Sequence, residues 1–163
     1  MKQPLGKSPP LITAPELAEV IGADLDTINN WVQRGIISRV AIGGRQLRAR
    51  LFSTEEVYNA ALTNELVRLG IQPSSASEAA NAVLKEWRGM EPPKGWNVYA
   101  VVLPSKGTWT VTLCSQRKSG GALYQGTGSA RLQMEFPKHA FAVIPISDVF
   151  ELVSRKMSAL LGG

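Results

Sequence analysis

Cysteine and histidine are almost missing from this chain: Cys114 and His139 are the only ones among 163 residues. A single cysteine excludes an internal disulfide framework, and one of each is too few for a Cys/His metal site within one chain. Neither a Ser/His/Asp set, nor a phosphate-cradling glycine motif, nor a carboxylate pair at catalytic spacing is present. The expectation is a protein without enzymatic activity, cofactor or metal. Long apolar runs are absent too. Nothing approaches the roughly 18–20 residues that span a bilayer, and MKQPLGKSPP at the N-terminus has no apolar stretch of the secretory kind. These absences predict a cytoplasmic protein with no membrane partner.

The most informative absence is of negative charge. No acidic residue lies between Asp26 and Glu55, whereas Arg34, Arg39, Arg45, Arg48 and Arg50 all fall there. The formal net charge of +5 is modest. Five guanidiniums without a counter-charge nevertheless make a local field suited to a polyanion.

The pattern around that window is specific. Residues 1–10, with three prolines, read as a flexible basic tail. Thr13-Ala14-Pro15-Glu16 has the form of a capping box, followed by the helical stripe Leu17, Val20, Ile21 and a stop at Gly22. Ala23-Asp24-Leu25 turns the chain into a second helix over 26–34, with Ile28, Trp31 and Val32 inward and Gly35 closing it. Two short helices across a tight turn predict a helix-turn-helix. A β-hairpin follows, turning at Gly43-Gly44. Its return arm places Leu47, Ala49 and Leu51 on one face and Gln46, Arg48 and Arg50 on the other. Ser53-Thr54-Glu55-Glu56 reads as a second capping box, opening a helix to Leu69 with Val57, Ala61, Leu62, Leu66 and Leu69 inward. A fourth helix is predicted over 75–87.

Residues 89–95, rich in proline and glycine, read as a linker between two units, 11–88 and 96–163. Beyond it the pattern predicts strands over 96–104 and 108–115, another near 130–136 and one over 140–145. A helix capped by Ser147 follows, with Val149, Leu152, Val153, Met157 and Leu160 on one stripe. The fold class is therefore α+β, the second unit being an antiparallel sheet with a C-terminal helix. Trp96, Tyr99 and Trp109 read as core of that unit, with a ligand pocket or dimer interface as the other reading; Cys114 reads as a structural thiol. Arg117 and Lys118, beside Gly120-Gly121, read as a hairpin loop, an accessory anion site being the alternative.

The ordered set Ala18, Gly22, Thr27, Arg34-Gly35, Arg50, Phe52 and Glu55-Glu56 resembles the mercury-resistance regulator (MerR) and excisionase superfamily over residues 11–88. The resemblance implies a winged helix-turn-helix. Its second helix, begun by Thr27, would enter the major groove, and its wing arginine, Arg50 here, would hold phosphate. Asn29 and Asn30 depart from the arginine and tyrosine usual in the regulators, so base contacts must differ. Residues 96–163 depart outright, because the regulators usually continue into a long dimerising helix.

The candidate DNA contacts are Thr27, Asn29, Asn30, Gln33 and Arg34 on the helix and Arg45, Gln46, Arg48 and Arg50 on the wing. Asparagine can make a bidentate contact to adenine or satisfy local backbone instead; Gln33 and Arg34 lie nearer the sugar-phosphate. The wing arginines fit phosphate, or else pair with Glu16, Glu19 or Glu55. The expected function is sequence-specific duplex DNA binding by a nucleoid-associated transcription regulator of bacterial or phage origin. A homodimer is expected, with 96–163 serving dimerisation or partner contact, RNA polymerase among the candidates. The alternative is an excisionase-like recombination factor or a phage packaging subunit.

Overall fold

The computed structural model describes residues 12–39, 51–88, 94–105, 108–120, 123–125, 132–134 and 142–162. The fold is α+β. In chain order it runs β1 (Ile12–Thr13), α1 (Ala14–Ile21), α2 (Leu25–Gln33), β2 (Leu51–Phe52), α3 (Thr54–Arg68) and α4 (Pro73–Trp87). Then follow β3 (Trp96–Ser105), β4 (Thr108–Arg117), β5 (Leu123–Gln125), β6 (Leu132–Met134), β7 (Ala142–Ile144) and α5 (Ile146–Leu161).

Helix boundaries follow local chemistry. At the start of α1 the Glu16 carboxylate accepts from the Thr13 amide at 2.6 Å and from its hydroxyl at 2.8 Å. These bonds to the charged form hold the carboxyl below the usual range. α2 ends in a Schellman motif. The Ile36 amide donates to the Trp31 carbonyl at 2.8 Å and the Gly35 amide to that of Val32 at 3.2 Å. Gly35 has φ +68°, which a Cβ would disfavour although nothing lies within 4 Å of where one would stand. The second capping box is only half formed. Ser53 Oγ accepts from the Glu56 amide at 3.3 Å, but the Glu56 carboxylate turns away to the Ser38 amide, also 3.3 Å. α4 begins two residues earlier than the pattern suggests, because Pro73 is preorganised for a first turn.

β1 and β2 form a small antiparallel ladder, Ile12 opposite Phe52 and Thr13 opposite Leu51. It ties both ends of the segment containing α1, α2 and residues 40–50 to one place. The larger sheet has order β6-β5-β4-β3-β7, antiparallel throughout. β5 was not anticipated: at three residues it is too short to show alternation. Val98, Ala100 and Val102 of β3, with Leu113, Ala142 and Ile144, join the core built by the helices. The opposite face carries Tyr99, Val101, Leu103, Cys114 and Val143.

That core is continuous across the composition change at 89–95. One cluster runs from Ile12 and Leu17 through Leu62 and Val83 to Val98, Ile144 and Met157. Phe150 joins the two sides, its ring 4.6 Å from that of Tyr58 and 5.1 Å from that of Trp87. α5 buries Ile146, Phe150, Val153 and Met157, while Leu152 is 41% exposed. At about 100° per residue, Leu152 lies about a third of a turn from that buried arc. Its place in the stripe goes to Phe150. Leu69, also expected inside, is exposed at the end of α3. Ser147 does not cap α5: Pro145 occupies that position, and Ser147 Oγ instead accepts from the Val98 amide at 2.8 Å, fastening helix to sheet.

Candidate nucleic-acid interface

α2 is anchored by its inner face. Ile28 and Trp31 are buried, and Val32 is partly buried against the same core. Opposite them, Asp26, Asn30, Gln33 and Arg34 are exposed, with Thr27 and Asn29 half-buried on either flank. Positions 26, 30, 33 and 34 stand at i, i+4, i+7 and i+8, so they form one stripe along the helix. Of the predicted helix contacts, Asn30, Gln33 and Arg34 therefore share an open face, and Thr27 and Asn29 border it. Asn29 also has a polar or electrostatic interaction within the chain. Asp26, the acidic residue of the first turn of α2, stands on the same stripe. Arg45, Gln46, Arg48 and Arg50 lie outside the described residues, as do the hairpin and His139.

The C-terminal ends of both helices are fixed by buried side chains of later helices. Asn64 Nδ2 donates to the Ile21 carbonyl at 3.0 Å, holding the end of α1 on α3. Ser77 Oγ donates to the Ile36 carbonyl at 2.7 Å, holding the exit of α2 on α4. The first bond supplies a donor to a carbonyl that the end of α1 leaves unsatisfied, and the second to a carbonyl just beyond the end of α2. Sequence reasoning missed both residues. Ser77, 7% exposed, is a polar side chain on the inner face of amphipathic α4 and could have been found by helical spacing; Asn64, 9% exposed, lies on α3, where every residue from 57 to 64 is buried and spacing singles out no inner face.

Beside Arg34 opens a cleft of about 390 Å³ between the end of α2 and helices α3 and α4, lined by Ser38, Glu56, Asn59, Ser77 and Asn81 among others. Its floor is a relay of amides and hydroxyls. Asn59 donates to Asn81 and accepts from Thr63 Oγ1 at 3.1 Å. Burial pushes the Glu56 carboxyl above the usual carboxylate range, with the Ser38 amide opposing the shift and the Glu55 charge adding to it.

Two acidic residues of this unit have partners among the described residues. Glu16 turns back onto Thr13, and Glu55 forms an ion pair with Arg88 at the end of α4. Chemically, the open stripe offers two carboxamides, each donor and acceptor, and one carboxylate beside one guanidinium. Among the described residues no group of three His, Cys, Asp or Glu side chains gathers as a metal set, and no helix is long and apolar enough to cross a membrane. Cys114 is buried, and burial raises its thiol to about 11, so it is a poor nucleophile. Neither a protein-family model nor a curated protein matches the chain.

Proposed function

We propose that this chain is a winged helix-turn-helix protein that binds duplex DNA sequence-specifically and acts as a transcription regulator. In this reading α2 enters the major groove and the arginine-rich segment 40–50 is the wing. The observation that carries the reading is the division of α2: Ile28 and Trp31 in the core, Asn30, Gln33 and Arg34 on one open stripe. Carboxamides read adenine edges in the major groove, and a guanidinium grips phosphate or guanine. Asp26 on that stripe repels phosphate, so it belongs toward base edges, where a carboxylate accepts from the cytosine amine. One such helix makes few base contacts, so a homodimer on two half-sites supplies the remaining specificity.

A gel-shift titration against genomic fragments at physiological salt tests this. A preferred fragment should bind at least about 10³-fold more tightly than random duplex. No preference beyond random duplex would refute sequence-specific recognition. One observation favours the recombination or packaging reading over a MerR-type regulator: α5 packs on its own core instead of leaving it as a dimerising helix. Chromatin immunoprecipitation separates the two. Sites at many promoters support regulation; a single attachment or packaging locus supports the other role.

A further inference from the structure

A second basic region lies far from α2 in sequence. Residues 92–134 contain Lys94, Lys106, Arg117, Lys118 and Arg131 and no aspartate or glutamate. The fold gathers three of these cations at one corner of the large sheet. Trp96, at the start of β3, is opposite Arg117, at the end of β4. The Lys118 amide donates to the Gly95 carbonyl at 2.9 Å, which brings the chain around Lys94 alongside. Gly120, with φ +89°, turns the chain away after its amide bonds the Arg117 carbonyl at 2.8 Å. Lys94, Arg117 and Lys118 are all exposed.

The same corner carries aromatic surface. Tyr124 of β5 stands edge-to-face with Trp96, centroids 5.8 Å apart at 69°, and both rings are half-buried. The Arg117 guanidinium lies 5.5 Å from the centroid of the Trp96 ring. Each ring keeps part of its surface accessible, Trp96 with the Arg117 guanidinium over it. Flat aromatic surface among cations is the chemistry that takes an unpaired base and its phosphates. A stacked base pair inside a duplex offers no such face.

We propose that this corner binds unpaired nucleotides, with Lys94, Arg117 and Lys118 on phosphates and a base on the Trp96–Tyr124 pair. It deepens the nucleic-acid reading of the chain but uses none of the α2 or 40–50 residues. A DNA-binding protein with such a site would hold an opened or single-stranded stretch next to the duplex it recognises.

The test uses the full chain and fluorescence anisotropy with labelled 12-residue oligodeoxythymidine, oligouridine and a random duplex. Either homopolymer should bind, more weakly as salt rises; a preference between them identifies DNA or RNA as the natural source. Tyr124→Ala should weaken homopolymer binding by about 5- to 150-fold, the span of one lost base stack. The double variant Lys118→Gln with Arg117→Gln should weaken it and shallow the salt slope, while duplex affinity changes less than about twofold. Arg34→Ala should do the reverse. The Gln variants alter only exposed side chains, so they keep the test valid should Tyr124→Ala unfold. Absence of homopolymer binding at low salt, or binding that the Gln variants leave unchanged, overturns the proposal. Homopolymer binding without any duplex preference would overturn the α2 reading and leave this one standing.

Discussion

Phe150→Ala probes the feature on which the whole architecture turns. The phenyl ring is 9% exposed and touches Tyr58 of α3 and Trp87 of α4 from its place on α5. Truncation removes most of a buried ring and leaves a cavity bounded by two other aromatics. The expected cost is about 3–5 kcal/mol. For a chain of this size, 1 kcal/mol moves the midpoint by about 2–4 °C, so the melting temperature should fall by about 6–20 °C. Phe150→Leu keeps part of the apolar volume but loses both ring contacts and should cost about 1–3 kcal/mol. The assay is thermal unfolding followed by far-ultraviolet circular dichroism and by tryptophan fluorescence. Because one core spans both sides of residues 89–95, the two signals should move together, in the parent and in both variants. Two separated transitions, with the earlier or later one alone responding to Phe150→Ala, would show that the halves unfold independently and would refute the shared core. A fall under about 2 °C would refute the role of Phe150 as its joint.

Other expectations follow from the same contacts. Gly35→Ala meets no neighbour but forces a Cβ into φ +68°, so chemical denaturation should show a loss of about 1–2 kcal/mol. Ser77→Ala leaves the Ile36 carbonyl without its donor and should cost about 1–3 kcal/mol in chemical denaturation. The two helix-terminal glutamates give opposite pH slopes. Glu16 has a lowered pKa, so its contribution is complete above its unfolded value of 4.5 and disappears as pH falls through the folded value; Glu16→Gln should remove that acid-side slope in melts between about pH 5 and 3. Glu56 has a raised pKa, so its charged form costs stability as pH rises from 4.5 through the folded value. Glu56→Gln keeps an acceptor for the Ser38 amide and should raise the melting temperature at pH 7, whereas a lower one would refute the burial argument. Asn30→Ala should change which fragment is preferred, while Arg50→Ala should weaken all fragments and shallow the salt slope, as measured by gel shift.

The first two helices were legible because their signals are local. Thr13 and Glu16, Gly22 and Gly35 act within one turn of where they stand, and the Leu17/Val20 and Ile28/Trp31 spacings need only the helix period. The misses share a cause of another kind. Ser147 has the composition of a cap, and Glu56 that of the far member of a capping box, but both side chains are claimed by backbone amides distant in sequence, those of Val98 and Ser38. Leu152 was as plausible as Phe150 on the α5 stripe until the rings of Tyr58 and Trp87 fixed the rotation of the helix. The division at 89–95 was read from proline and glycine, which record where a chain turns; whether the pieces on either side share a core depends on side chains that such a segment does not contain.

The same distinction governs the interface. Charge is additive, so the acid-free window from 27 to 54 could be weighed from the sequence alone. Orientation is not. Asn29 and Asn30 are identical neighbours in the sequence, yet about 100° of helical rotation leaves Asn30 exposed and Asn29 half-buried, with an interaction of its own. What sets that rotation is the burial of Ile28 and Trp31, together with the fixing of the Ile21 and Ile36 carbonyls by Asn64 and Ser77. General affinity should therefore survive changes to those four residues for as long as the arginines remain, whereas sequence preference should not. Ser77→Ala and Arg34→Ala, compared on one preferred fragment and one random duplex, separate the two effects. Loss confined to the preferred fragment for Ser77→Ala, and loss on both for Arg34→Ala, is the expected pattern. The same proportional loss from both variants on both duplexes would mean that the side chains holding α2 do not set its specificity.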